Sequence, residues 1–197
     1  SFVKSIADAC KRNSALLIID EVQTGVGRTG KFCGFEHYGI RPDVITFAKG
    51  IAGGFPMGAL HTRDDLAGCL EKGSHGTTFG GNHFASAAAV AVLKEFKSGK
   101  LLESVRKNGQ FIMDHINKIK AQTDCIREVR GLGMHIGIEF KAPGANMVKK
   151  ALERGLVINC TSEKVIRIMP PLTIPMKTIK EGLAILDQII AEEGTPR

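Results

Sequence analysis

Tryptophan is absent from this chain, and tyrosine occurs once, at Tyr38. The 27 basic residues outnumber the 20 acidic ones, yet no basic run is longer than a pair such as Lys149-Lys150. A nucleic-acid surface needs basic residues grouped together and interleaved with stacking rings. Neither is here, so the net charge of +7 describes a solvated basic surface. No apolar stretch reaches the roughly 18 residues that mark a membrane span. The five cysteines, Cys10, Cys33, Cys69, Cys125 and Cys160, are odd in number and far apart, without CxxC or Cys/His ligand spacing. That pattern disfavours a disulfide framework or a metal site and fits reduced thiols in a cytoplasmic protein. The opening residues, Ser1-Phe-Val-Lys-Ser-Ile-Ala-Asp-Ala-Cys10, lack a signal-peptide profile. They form an amphipathic helical pattern already under way, so the chain is expected to begin inside a domain.

With 197 residues, 43% of them hydrophobic, the chain can bury a sizeable core as one large domain or two small ones. Periodicity predicts a helix over 2–12, a buried strand at 15–19, strands at 44–48 and 58–61, and a short helix over 64–71 capped near Thr62. A long Ala-rich helix is expected from about Phe84 and another over 101–121. Residues 129–140 pattern as a strand with a tight bend. A helix near 145–154, strands at 156–159 and 165–169, and a closing helix over 179–192 complete the pattern. The break at Lys97-Ser-Gly-Lys100 is the expected domain boundary, giving domains of 1–96 and 97–197. The early strands are expected to lie in a mostly parallel sheet.

Two apolar strands each deliver a charged group at the carboxyl end, where an open α/β sheet builds its ligand sites. Leu16-Leu-Ile-Ile19 ends in Asp20-Glu21-Val22-Gln23, and Val44–Ala48 ends in Lys49-Gly50. The amine can form a Schiff base and the carboxylate can hold a cationic ring nitrogen, the pairing that pyridoxal phosphate chemistry requires. A glycine-rich loop, Gly73-Ser-His-Gly-Thr-Thr-Phe-Gly-Gly-Asn82, precedes a helix and offers backbone amides with the hydroxyls of Thr77 and Thr78 to a phosphate. The competing motif is Gly25-Val-Gly-Arg-Thr-Gly30-Lys31, which has the glycine and lysine spacing of a nucleotide-binding P-loop. Position 32 is Phe where Mg²⁺ needs a hydroxyl. The residues after Lys31 are also a poor helix opening, and the acidic strand lies too close upstream.

Taken together, Asp20-Glu-Val-Gln-Thr-Gly-Val-Gly-Arg-Thr-Gly30, Ala48-Lys49-Gly50 with Gly53-Gly54-Phe-Pro56, and Gly76-Thr-Thr-Phe-Gly-Gly-Asn82 resemble the class III aminotransferases. Gly155-Leu-Val-Ile-Asn-Cys-Thr161 ahead of Val165-Ile-Arg-Ile-Met-Pro-Pro-Leu172 resembles the acetylornithine branch of that class. The resemblance runs nearly end to end and corresponds to the C-terminal half of the family's chain. It implies fold type I, an α/β fold with part of the large cofactor domain followed by a small α+β domain.

The resemblance also implies roles. Lys49 would carry pyridoxal 5'-phosphate and move the substrate proton, and Asp20 would face the pyridine nitrogen. Val22 would pack on the ring, Gln23 would bond its phenolic oxygen, and Glu21 belongs to the same cofactor-binding run. Thr78 would serve the cofactor phosphate of a neighbouring subunit in a homodimer with shared sites. Thr77 would lie by the substrate and Arg167 would hold its carboxylate. The implied reaction moves the amino group of N-acetylornithine to 2-oxoglutarate in arginine biosynthesis. Ornithine, succinyl-diaminopimelate or 4-aminobutyrate are alternative donors, and a non-catalytic fragment needing its partner half is an alternative of another class. The half not in this sequence would carry a glycine-containing phosphate cup, a stacking aromatic residue and a further arginine.

Overall fold

The computed structural model describes residues 1–193; residues 194–197, the end of the expected second domain, lie outside them. The chain divides into two compact units, Ser1–Leu102 and Glu103–Arg197.

The first unit opens with α1 (Phe2–Arg12), capped by Ser1, whose side-chain oxygen accepts from the Lys4 amide at 3.5 Å. Lys11 and Arg12 in its last turn complement the helix dipole. Its apolar face is uncovered: no residue of α1 is buried, and Phe2 is 81% exposed. Three strands follow, β1 (Ile18–Asp20), β2 (Val44–Phe47) and β3 (Ala59–Thr62). They form a sheet in the order β1-β2-β3, parallel between β1 and β2 but antiparallel between β2 and β3. The mostly parallel expectation therefore holds for one junction of the two. The strand predicted at 15–19 starts later, and Ile18 is 60% exposed because β1 is an edge strand in the described unit.

The segment predicted as a helix capped near Thr62 is a 3-10 turn, Asp64–Cys69, with no side-chain cap. Thr62 is still in β3, where its hydroxyl donates to the Asp43 carbonyl at 3.4 Å and is not placed to cap. α2 (His83–Phe96) begins as expected, with Asn82 Oδ1 accepting from the Ala85 amide at 2.9 Å. Its small residue Ala89 lets the helix pack with Val26, Ile51 and Ala52, and Phe32, Phe47 and Phe96 close around that cluster. The cluster lies directly under the turn that begins at Lys49.

The second unit contains most of α3 (Lys100–Lys120), then β4 (Ile126–Leu132), β5 (His135–Phe140), α4 (Ala145–Glu153), β6 (Asn159–Thr161), β7 (Val165–Ile168) and α5 (Met176–Glu193). Its sheet runs β4-β5-β7-β6 with every pairing antiparallel. The predicted bent strand is a two-stranded hairpin turning at Gly133 (φ +55°). The strand predicted from 156 starts only at Asn159, and Leu156 and Ile158 instead pack on the core from an irregular lead-in. Along β5 burial alternates, and Ile136, Ile138 and Phe140 point inward against Ile112, Ile116, Leu186 and Ile189. That is how a strand with one covered face reads.

α3 approaches the hairpin turn closely. A Cβ at Gly109 would lie 2.1 Å from the Gly133 carbonyl oxygen and 2.4 Å from its carbon. Backbone on both sides leaves nothing flexible to yield. Gly109→Ala is therefore expected to destabilise the protein by about 1–3 kcal/mol through overpacking. Gly68→Ala, where the added carbon meets nothing within 4 Å, should stay within about 0.5 kcal/mol. Urea unfolding of the two variants checks the contrast.

Candidate functional site

The parallel pairing of β1 with β2 sets Asp20 opposite Thr46 and leaves Lys49 just beyond the end of β2. Asp20 Oδ1 accepts from the Val22 amide at 2.9 Å and from the Thr46 hydroxyl at 3.0 Å. These two bonds hold the carboxyl below its ordinary value, the Val22 amide contributing most and Thr46 next. Desolvation opposes them, and the positive charge of Lys49 adds to them. Asp20 is therefore an anion across the neutral range. A carboxyl depressed in this way favours the folded state above its ordinary value, and that contribution fades as pH falls through its folded value.

Lys49 is exposed and has φ +49°, in the left-handed region that side chains other than glycine seldom adopt. It opens a 3-10 turn, Lys49–Ala52, that closes at Gly53 with φ +64°. Ile51 and Ala52, the apolar half of that turn, are buried. Packing thus fixes the backbone of the turn while the amine stays free to reach solvent. Val26 is a second outlier at φ +53°, buried and β-branched, and the Cβ position of Gly50 lies 3.7 Å from its Cβ. Backbone strain of this kind costs about 1–3 kcal/mol and gathers at functional sites. Sequence periodicity carries no sign of it.

Glu21 is placed differently from its neighbours. It is 1% exposed; its Oε2 accepts from the Thr24 hydroxyl at 2.5 Å and its Oε1 from the Phe35 amide at 2.9 Å. The carboxylate faces into the glycine-rich segment, where both its oxygens are engaged within the chain. Val22 and Gln23 are half-buried beside it.

The glycine-rich segment does not form a phosphate loop. The Gly25, Gly27 and Gly30 amides donate to the Glu21, Phe32 and Gly27 carbonyls, and Lys31 Nζ donates to the Glu36 carbonyl at 2.8 Å. A 3-10 turn, Gly34–Tyr38, follows where a P-loop would need an α-helix. Burial, with Glu21 and Glu36 nearby, pushes the Cys33 thiol up to about 12, so it is an inert packing group.

Thr77 and Thr78 are both exposed in the loop ahead of α2. A concavity of ≈ 530 Å³ is lined by Phe47, His75, Thr77, Phe79, Asn82 and Ser86, among others, but by neither Asp20 nor Lys49. Arg167 lies in the second unit on β7, opposite Asn159 of β6, and its Nε donates to Asn159 Oδ1 at 3.3 Å. The residue that sequence reasoning missed is Thr46. Its signal was its place near the end of an apolar strand, where a hydroxyl can reach the neighbouring strand's acid. All five cysteines are free among the described residues, which also hold no cluster suited to a metal ion. No described helix is long and apolar enough to cross a membrane.

The family model for aminotransferase class-III matches residues 1–190. The chain belongs to the class-III aminotransferases. It is 44% identical over 192 residues to the acetylornithine aminotransferase of Caldanaerobacter subterraneus, covering 97% of this chain and 49% of that protein. Among solved structures, it superposes on the ornithine δ-aminotransferase of Plasmodium falciparum with a TM-score of 0.91 and 35% identity, covering 98% of this chain and 52% of the other. For the acetylornithine aminotransferase of Elizabethkingia anophelis the TM-score is 0.89 at 34% identity, with coverage of 97% and 51%. The family and the α/β fold type I expected from the motifs are those found, and the chain spans about half the length of the relatives it matches.

In this class-III aminotransferase chain the lowering of the Asp20 carboxyl rests on identifiable neighbours, which can be removed singly. Thr46→Val and Lys49→Ala should each raise the Asp20 carboxyl midpoint in a carbon-detected NMR titration, Thr46→Val more. An unchanged midpoint in Thr46→Val would show that the hydroxyl is not a partner in solution.

Proposed function

We propose that the chain is the later half of a pyridoxal-phosphate-dependent aminotransferase, which moves the amino group of N-acetylornithine to 2-oxoglutarate in arginine biosynthesis. The observation that carries this reading is the Asp20–Lys49 arrangement, an acid held ionised in the field of an amine at the carboxyl ends of two parallel strands. The donor set fits the cofactor, because an anion suits a protonated ring nitrogen and an exposed amine on a fixed backbone suits its aldehyde. The names of the matching relatives support the amino donor. Residues 1–96 are read as part of the large cofactor domain and 97–197 as the small C-terminal domain. The whole enzyme is read as a cytoplasmic homodimer.

When bound, pyridoxal phosphate supplies an electrophilic carbon for an amine and a ring that draws electrons from the substrate Cα. Lys49 would hold the cofactor through Nζ, and that amine is the group that would take up and return the substrate proton. Asp20, an anion that accepts from the Val22 amide and the Thr46 hydroxyl, would hold the protonated ring nitrogen. Val22 would pack against the ring and Gln23 would donate to its phenolic oxygen. Thr78 would bind the phosphate of a neighbouring subunit's cofactor and Thr77 would lie beside the substrate. Arg167 grips a substrate carboxylate through its planar fork.

Borohydride reduction of the chain incubated with pyridoxal phosphate, followed by peptide mass spectrometry, tests the reading. The pyridoxyl group should sit on Lys49 in preference to other lysines; labelling spread without preference would overturn it. In the whole enzyme, faster transfer from ornithine than from N-acetylornithine would overturn the donor assignment. Arg167→Lys should raise KM for carboxylate substrates roughly 10- to 100-fold, the loss of a bond to a charged group, while the melting temperature holds. A fallen melting temperature with an unchanged KM would make the Arg167–Asn159 bond purely structural.

A further inference from the structure

Glu21 is the buried ionisable group for which the proposed chemistry has no direct use. Consecutive strand residues face opposite ways, so Asp20 presents its carboxylate to the site while Glu21 turns beneath it. The Glu21 amide donates to the Thr46 carbonyl at 3.0 Å, carrying the β1–β2 pairing one residue past Asp20. Its carbonyl accepts from the Gly25 amide at 2.9 Å and closes a turn whose interior residues are Val22, Gln23 and Thr24. Its side chain then accepts from the Thr24 hydroxyl inside that turn and from the Phe35 amide of the 34–38 turn, tying the two together.

The glycines around it pack closely. A Cβ at Gly25 would lie 2.7 Å from the Glu21 carbonyl oxygen, and one at Gly34 would lie 3.3 Å and 3.4 Å from the two carboxylate oxygens. A buried charge is tolerated only where such donors satisfy it. The turn so fixed contains the Val22 amide, the same group that donates to Asp20 Oδ1 at 2.9 Å.

We propose that Glu21 is a positioning residue that holds the 21–25 turn through Thr24 and Phe35, and so aims the Val22 amide at Asp20. The inference rests on the aminotransferase reading for its functional meaning, since Asp20 is the group that faces the ring nitrogen there. In that role Glu21 acts through the Val22 amide and not by contact with cofactor or substrate.

Direct electrostatics and positioning make opposite predictions. Removing a negative charge beside Asp20 would by itself make Asp20 easier to ionise and lower its midpoint. Releasing the turn would weaken the Val22 bond and raise it. In a carbon-detected NMR titration of the full chain, Glu21→Gln should raise the Asp20 midpoint by about half a pH unit or more. Thr24→Val, which removes one donor and no charge, should raise it less. A midpoint that stays or falls in folded Glu21→Gln overturns the proposal. Should Glu21→Gln fail to fold, the same outcome in Thr24→Val overturns it. Borohydride labelling of the wild-type chain separates the two hypotheses: loss of Lys49 preference defeats the aminotransferase reading, whereas the Asp20 titration uses no cofactor and tests Glu21 alone.

Discussion

The register between β1 and β2 is the constraint on which the site depends. Ile18, Ile19 and Asp20 pair in parallel with Val44, Ile45 and Thr46, so an acid and a hydroxyl meet at one sheet end while Lys49 emerges three residues beyond Thr46. A slip of one residue would turn Asp20 to the opposite face and part it from Thr46. Nothing in the acid's own strand could replace that hydroxyl. The pairing continues through the Glu21 amide, and the same backbone that orients Asp20 starts the turn supplying its other donor.

Below this sheet end the cluster of Val26, Ile51, Ala52 and Ala89 anchors the two strained positions, Val26 and Lys49. Left-handed backbone at a β-branched residue persists only where surrounding packing over-determines it. The site's amine is therefore presented by a fixed backbone although its side chain is exposed. Small residues make this possible: Ala89 admits α2 close to the turn, and Gly27 accepts the Phe96 ring, 2.5 Å from where a Cβ would stand.

The second unit solves a different problem with an antiparallel sheet and one continuous core of isoleucines and leucines. Its surface carries ion pairs such as Lys150–Glu193 at 2.8 Å and Arg127–Glu139 at 2.9 Å. Exposed pairs of this kind contribute little to stability, so the apolar core and the close Gly109–Gly133 approach define the unit. Arg167 occupies a regular strand position there, opposite Asn159 and with its Nε donating to Asn159 Oδ1.

The local chemistry was legible in the order of residues. Apolar β-branched runs ending in Asp20 and ahead of Lys49, an Ala-rich helix and the glycine-rich 73–82 loop are short-range patterns, and propensity acts over a few residues. The closing helix and the alternating β5 strand were legible for the same reason. What depended on distant partners was not. Glu21 follows Asp20 in a motif that suggests a shared task, yet it turns inward because Phe35, 14 residues away, offers its amide. Ile18 is apolar but exposed because no described element covers its side of an edge strand, and Thr62 fails to cap because β2 keeps it in the sheet. Periodicity records which residues alternate; it carries no record of which segments meet. The sequence by itself determined the identity and local presentation of the acid and the amine, while the tertiary structure decided their common register, the backbone strain beneath them and the inward turn of Glu21.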